Sequence, residues 1–178
     1  MNWRAWSLLA LTLGLVGNVF AVAPRDAEEF FFDQTLGDFR AELAAAREQG
    51  KQGIFIFFEM DECPFCQRMR ETMLNQPEIQ DYYKAHFLNF SVDIEGGIEI
   101  TNFHGDTVTE KQFAFNEYRV RATPVLLFFD LDGKPITRHT GPTADTREFL
   151  WLGEYVAEGI HTSKPFAQYK RERRLAER

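Results

Sequence analysis

Residues 53–74 of the chain read GIFIFFEMDECPFCQRMRETML, and this stretch carries the strongest indication of the fold. It opens with an apolar run, Gly53–Phe58, which is typical of a central strand buried on both faces. It closes with a helix-like run, Gln67–Leu74. Between them stand Cys63 and Cys66, the only cysteines of the chain. The sequence therefore places a Cys-x-x-Cys pair at a strand-to-helix junction.

The position of Cys63 favours a reactive thiol. At a helix N-terminus, the free N–H groups and the macrodipole stabilise a thiolate, which is the form that attacks disulfides. An inert structural disulfide is a weaker interpretation, because a two-residue loop closes too little chain to stabilise much. A zinc site to which the two cysteines contribute is also a weaker interpretation. Zinc takes about four ligands, and the histidines of the chain are scattered without the spacing of metal ligands. The pair is therefore predicted to be a redox-active dithiol that needs no metal or other bound cofactor.

The N-terminal segment indicates export. Residues 1–21 have the pattern of a signal peptide, with positive charge at Arg4, an apolar run, and Ala21-Val22-Ala23 as a cleavage pattern. An uncleaved membrane anchor is the alternative, although the apolar run is shorter than the roughly 20 residues of a spanning helix. We expect residues 22–161 to form one domain. Within it, the aromatic run Phe30-Phe31-Phe32 is expected to pack the N-terminal segment onto the domain rather than to bind a partner.

The charge of the chain is unevenly distributed. The formal net charge is −7, yet residues 162–178 carry six Lys or Arg against two Glu. The body is therefore strongly acidic, which argues against nucleic-acid binding. For the basic C-terminal tail, residues 162–178, a solvated and frayed helix is the expected structure, and an interaction arm is the alternative.

The remaining patterns predict an α/β chain in which helices and strands alternate. Residues 95–112 are predicted to form an insertion, in which His104-Gly105-Asp106 makes the turn of a hairpin between two short strands. The other predicted elements are a helix over Thr35–Gly50, a helix capped by Asn75 with Pro77 in its first turn, a short helix at about Glu110–Tyr118, strands at His86–Asp93, Val125–Asp130 and Pro135–His139, and a last helix capped by Asp145.

This order, with a dithiol after the first central strand, resembles the thioredoxin fold. Arg121-Ala122-Thr123-Pro124, directly before a predicted strand, resembles the cis-proline loop of that superfamily. The resemblance implies a central mixed sheet flanked by helices and a cis bond between Thr123 and Pro124. It also implies that these two residues bind the substrate peptide beside the dithiol.

Within the superfamily, the sequence is most similar to periplasmic thioredoxins of the sulfur-oxidation-associated, SoxW-like type. The phrases that carry this likeness include Val92-Asp93-Ile94-Glu95-Gly96 and the run from Glu148 to Tyr155, and it covers about residues 36–160. The likeness implies a periplasmic location and a membrane electron-transfer partner.

The chain departs from cytosolic thioredoxins at Phe57, where they have a buried aspartate six residues before the first cysteine. Glu59 lies two residues further on and projects from the same strand face. A half-buried carboxylate there would accept the proton of Cys66 when that thiol attacks, and a solvent-facing acid is the alternative. Asp61 and Glu62 flank the dithiol, and their charges oppose formation of a thiolate.

These features predict an exported thiol–disulfide oxidoreductase that reduces disulfides in protein substrates. Cys63 attacks the substrate disulfide, and Cys66 then displaces the substrate from Cys63. Three alternatives stay open. The dithiol would act in reverse as a disulfide donor, or exchange with glutathione as Pro64-Phe65 suggests by its likeness to glutaredoxins, or the chain would bind peptides without turnover.

Overall fold

The computed structural model of the protein describes residues 23–177, so the expected export signal lies outside the described residues. Strands and helices alternate through most of this range. The strands are β1 (Gly53–Glu59), β2 (Phe87–Asp93), β3 (Glu99–Thr101), β4 (Thr107–Thr109), β5 (Val125–Phe129) and β6 (Pro135–Thr140).

The helices follow the same chain order. Two of them continue as one turn of π-helix, at residues 70–74 and 113–117. The helices are α1 (Ala27–Phe30), α2 (Phe39–Glu48), α3 (Pro64–Met69), α4 (Pro77–His86), α5 (Glu110–Gln112), α6 (Thr146–Ala157) and α7 (Phe166–Ala176).

The central sheet has the strand order β2-β1-β5-β6, with β1 parallel to β2 and antiparallel to β5, and with β5 antiparallel to β6. Side chains of β1 alternate between two apolar clusters, because successive residues of a strand point to opposite faces. Phe55 and Phe57 join the cluster under α3, α4 and α6, whereas Ile54, Ile56 and Phe58 join the cluster under α2. The predicted mixed sheet flanked by helices is confirmed.

The insertion at residues 95–112 contains the predicted hairpin, in which β3 pairs with β4. A single parallel bridge between Asp38 and Thr101 joins it to the start of α2. The π-helical turn after α5 then brings Phe113 into a stacked contact with Phe39, at 5.1 Å between ring centroids. The insertion is therefore tied to the α2 face of the sheet.

The N-terminal arm, residues 24–33, packs on the other face, as its aromatic run predicted. Phe31 is fully buried, with its ring 5.4 Å from Tyr83 and 5.8 Å from Phe55. Phe32 is also buried, whereas Phe30 is more than one-third exposed. A backbone hydrogen bond also joins the arm to the sheet, because the Asp33 N–H donates to the carbonyl of Asn89 in β2.

The C-terminal segment is helical, as expected, but the helix is docked on the domain rather than frayed. It forms the helix α7, which packs on α6 and buries Tyr169. Glu148 of α6 is only 3% exposed and receives hydrogen bonds from Lys170 and Arg174, at 2.8 Å each. The basic residues of this segment therefore hold it onto the acidic body instead of leaving it in solvent.

Within residues 23–177, no helix combines the length and the apolar character needed to cross a membrane.

Candidate active site

The dithiol lies at the start of α3, just beyond the carboxyl end of β1. Cys63 is the N-cap residue of this helix, and Pro64 occupies its first turn, where a missing N–H costs nothing. Cys63 and Cys66 are joined in a disulfide and are 5% and 2% exposed. The Cys66 backbone N–H donates to the Cys63 sulfur, at 3.1 Å. In the reduced protein, the same N–H would donate to a Cys63 thiolate and so favour it over the thiol.

A cavity of about 400 Å³ opens beside the two sulfurs. It lies at the carboxyl ends of the parallel strands β1 and β2, and the N-terminal arm and the π-helical turn after α3 form its other walls. Its lining residues are Glu28, Glu59, Met60, Asp61, Cys63, Cys66, Gln67, Arg70 and Asp93.

Glu59 is held in this cavity by Arg70. The Arg70 guanidinium donates from Nε to Glu59 Oε2, at 2.9 Å, and from Nη2 to Glu59 Oε1. The hydroxyl of Ser91 donates to Oε1 as well. The carboxylate is only 17% exposed. The structure therefore places Glu59 on the predicted strand face, half-buried and paired rather than solvent-facing.

Arg70 has further contacts that fix its position. Its Nη1 donates to Glu28 of the N-terminal arm, at 3.0 Å, and its guanidinium lies 4.7 Å from the ring centre of Phe32. Burial lowers the pKa of Arg70, but the hydrogen bonds and charges of Glu59 and Glu28 outweigh that effect and hold the pKa above its ordinary value. Arg70 is therefore a permanent cation at the cavity wall.

The loop that precedes β5 lies at the same end of the sheet. Val125 pairs with Phe58, so Thr123 and Pro124 are placed beside the residues that lead from β1 to the dithiol. The bond between Thr123 and Pro124 is cis, as the resemblance implied, and the Pro124 carbonyl accepts a hydrogen bond from the Gly141 N–H, at 2.9 Å. Their predicted role in substrate binding remains a prediction.

The rim of the site is exposed. Asp61 and Glu62 face solvent, as does Phe65 of the Cys-x-x-Cys loop, which is 54% exposed. The guanidinium of Arg68 lies 5.8 Å from the ring centre of Phe65. An acidic edge and an aromatic side chain therefore border the disulfide on the outer surface.

The described residues hold no group of three or more His, Cys, Asp or Glu side chains that would bind a metal ion.

A comparison with protein families agrees with this architecture. The family model for the thioredoxin-like domain matches residues 39–157, which include all four strands of the central sheet and both cysteines. The chain belongs to the thioredoxin-like domain family. No curated protein sequence matches it significantly.

Solved structures share this thioredoxin-like fold at low sequence identity. A thioredoxin-fold protein from Helicobacter pylori is 23% identical, with a TM-score of 0.57, over 65% of this chain and 75% of that one. A thioredoxin from Thermus thermophilus is 24% identical, with a TM-score of 0.52, over 67% and 83% of the two chains. A protein from Bacteroides thetaiotaomicron, provisionally assigned as a disulphide-isomerase, is 23% identical, with a TM-score of 0.56, over 82% and 100%. These similarities establish the thioredoxin fold.

The thioredoxin-like site unites some of the predicted residues and separates others. Cys63, Cys66 and Glu59 line one cavity, whereas Thr123 and Pro124 lie at the same end of the sheet but outside that cavity. With its disulfide in Cys-x-x-Cys spacing, the fold supports thiol–disulfide exchange chemistry in general.

Sequence reasoning assigned no role to Arg70 or Glu28. A signal for Arg70 was present, because it follows Cys66 by four residues on a predicted helix and therefore falls on the same face. No comparable signal exists for Glu28, because its contact with Arg70 joins residues far apart in the chain.

Proposed function

We propose that this thioredoxin-like protein is a thiol–disulfide reductase that acts on disulfide-containing proteins outside the cytoplasm. The observation that carries the proposal is the position of Cys63, whose sulfur accepts the N–H of Cys66 at the start of α3. The same hydrogen bond would stabilise the nucleophilic thiolate. The acids Asp61 and Glu62 disfavour that thiolate, so they favour a dithiol that gives electrons away.

The reaction would run in two exchange steps. The Cys63 thiolate attacks one sulfur of the substrate disulfide, forms a mixed disulfide, and expels the other substrate sulfur as a thiolate that takes up a proton. Cys66 then loses its proton and attacks Cys63, which forms the Cys63–Cys66 disulfide and releases the second substrate thiolate. We assign Glu59 as acceptor of the Cys66 proton, since both groups line the same cavity.

Export and the electron source are parts of this proposal. Residues 1–21 have the pattern of a signal peptide, and the likeness to SoxW-like periplasmic thioredoxins points to the same compartment. Because the periplasm is kept oxidising, a reductase there needs a dedicated dithiol donor, for which the likeness suggests a membrane electron-transfer protein. No bound cofactor enters either step.

Variants of the two cysteines test the proposal directly. With insulin as the model disulfide and dithiothreitol as the electron donor, the wild-type protein should accelerate reduction and Cys63→Ser should abolish that acceleration. Cys66→Ser should accumulate a stable mixed disulfide, because the group that resolves it is gone. Mass spectrometry of the trapped species would identify the bonded sulfur.

Three outcomes would contradict the proposal. An absence of turnover by the wild-type protein would favour the peptide-binding alternative. Faster alkylation of Cys66 than of Cys63 in the reduced protein would reverse the roles of the two cysteines. Net oxidation of a reduced peptide by the disulfide form, in excess over reduction, would instead favour the disulfide donor.

A further inference from the structure

One wall of the cavity beside the dithiol comes from outside the thioredoxin-like domain. The family match begins at residue 39, yet Glu28 of the N-terminal arm lines the cavity together with the two cysteines. Phe32 of the arm lies under the guanidinium of Arg70, at 4.7 Å. The arm therefore contributes to the surroundings of the sulfurs as well as to the core.

The charges around the cavity are unbalanced. Acidic side chains reach it from four of the segments that surround it, and Arg70 is the only cation among the lining residues. The acids are Glu28 from the arm, Glu59 from β1, Asp61 from the loop before the dithiol, and Asp93 from β2. A thiolate formed in these surroundings would face net negative charge, which disfavours it.

We propose that Arg70 is a positioning residue of the dithiol site, which holds the Glu59 carboxylate in place and offsets the negative charge that the reduced sulfurs meet. The inference rests on the proposed redox function of Cys63 and Cys66. Arg70 acts through Glu59, whose two oxygens accept its Nε and Nη2 donors. The arm keeps Arg70 in that position through Glu28 and Phe32.

The sign of the effect follows from the charges. Replacement of Arg70 by Gln removes the cation and leaves the Glu59 and Glu28 carboxylates uncompensated near the sulfurs. Negative charge nearby disfavours the thiolate, so the pKa of the reactive thiol should rise. A charge partner within about 4–6 Å shifts a pKa by about 1–3 units. We expect a rise near the lower limit, about one unit, because Arg70 shares a cavity with the sulfurs but makes its hydrogen bonds to Glu59 and Glu28.

The test is a titration of the reduced protein, in which the rate of alkylation by iodoacetamide is measured against pH. Arg70→Gln should raise the apparent thiol pKa by about one unit, which leaves about tenfold less thiolate at a fixed pH below that value. Arg70→Lys keeps the positive charge but loses the bidentate hydrogen bonds to Glu59, so the rise in the thiol pKa should be smaller. Arg47→Gln is the control, because Arg47 pairs with Asp132 on the surface and its loss changes the net charge equally.

The double variant Arg70→Gln/Glu59→Gln separates charge from structure. It removes both members of the pair and keeps the net charge, so its titration should return most of the way to that of the wild type. In the double variant no Glu59 carboxylate is left without its partner, which is the feature that could prevent Arg70→Gln from folding. The double variant can therefore be titrated even if Arg70→Gln does not fold.

Two results would overturn the inference. One is an Arg70→Gln titration that matches those of the wild type and Arg47→Gln. The other is a double variant displaced by one unit or more from the wild type. The alkylation titration requires no protein substrate, so a wild-type protein that fails to reduce insulin would refute the reductase proposal and leave the result for Arg70 standing.

Discussion

Glu59 has two properties that suit a proton acceptor for Cys66. It lines the same cavity as the sulfur, and among the described residues Oε2 accepts one hydrogen bond, from Arg70, which leaves it a further acceptor position. The contribution of Glu59 to proton transfer can be measured at the second exchange step alone.

Glu59→Gln should therefore slow the release of substrate from the mixed disulfide without slowing its formation. General bases contribute about 10²–10⁴-fold, and water can still accept the Cys66 proton in the variant, so a reduction near the lower end of this range, about a hundredfold, is expected. Single-turnover release of a fluorescent peptide thiol would report the step. Glu28→Gln is the matched control, since Glu28 lines the cavity and contacts Arg70 but is largely exposed. Equal release rates for wild type and Glu59→Gln would remove Glu59 from the mechanism.

At the scale of elements, α7 is attached to α6 mainly through one buried carboxylate. Glu148 forms ion pairs with Lys170 through Oε1 and with Arg174 through Oε2. A third ion pair joins Arg173 to Glu154, about one and a half turns further along α6. Tyr169 of α7 is buried, and its hydroxyl donates to Glu154 Oε2, at 3.4 Å. The docking of α7 therefore depends on a polar contact that is far better shielded from water than an ordinary surface ion pair.

Glu148→Gln should lower the free energy of unfolding by about 2 kcal/mol, because hydrogen bonds to charged groups contribute about 1.5–3 kcal/mol and the two cations are partly exposed. It should also let trypsin cut within α7 while the dithiol reacts at the wild-type rate. Denaturant titration and limited proteolysis would show both effects. Glu172→Gln breaks the partly exposed pair between this residue of α7 and Lys164, which precedes the helix, and should leave stability unchanged. Equal stability of the two variants would contradict the assigned role of Glu148.

At the scale of the whole molecule, the acidic body should keep the dithiol reducing. Asp61 and Glu62 are exposed beside the disulfide, and two exposed like charges contribute at most about 1 kcal/mol each. That is worth a few tens of millivolts, because about 30 mV corresponds to 1.4 kcal/mol. We therefore expect a potential nearer to the roughly −270 mV of thioredoxin than to the roughly −120 mV of a dedicated oxidant.

Equilibration with glutathione buffers would give this potential. The variant Asp61→Asn/Glu62→Gln should be more oxidising than the wild type by a few tens of millivolts, since it no longer disfavours the thiolate. A wild-type potential close to that of the dedicated oxidant would promote the disulfide-donor alternative.

The sequence predicted those parts of the fold that depend on local pattern. The apolar runs at β1 and β5 and the turn chemistry of the hairpin in the insertion gave their elements within one or two residues, because a strand pattern and a turn are short-range properties. The dithiol and the loop at Pro124 were found in the same way, as motifs that adjoin predicted strands.

The contacts that complete the site were not predictable by those means. Arg70 meets Glu59 and Glu28 only because three separate segments fold onto one another, and no local pattern encodes that meeting. The same limit explains why the docking of α7 was not predicted. Its charges indicated a solvated surface, and the buried carboxylate that pairs with two of them, Glu148, lies on another helix.

Phe31 has a consequence for how the chain could be divided. Its ring is the innermost part of the arm and lies between Phe55, Tyr83 and Phe149. A shortened protein that starts after residue 33 would open a hollow lined by aromatic rings, and a separate peptide of residues 24–33 would carry the side chain that fills it. The molecule thus offers a natural pair of complementary fragments, in which association of the peptide would restore both the missing core and the missing wall beside the sulfurs.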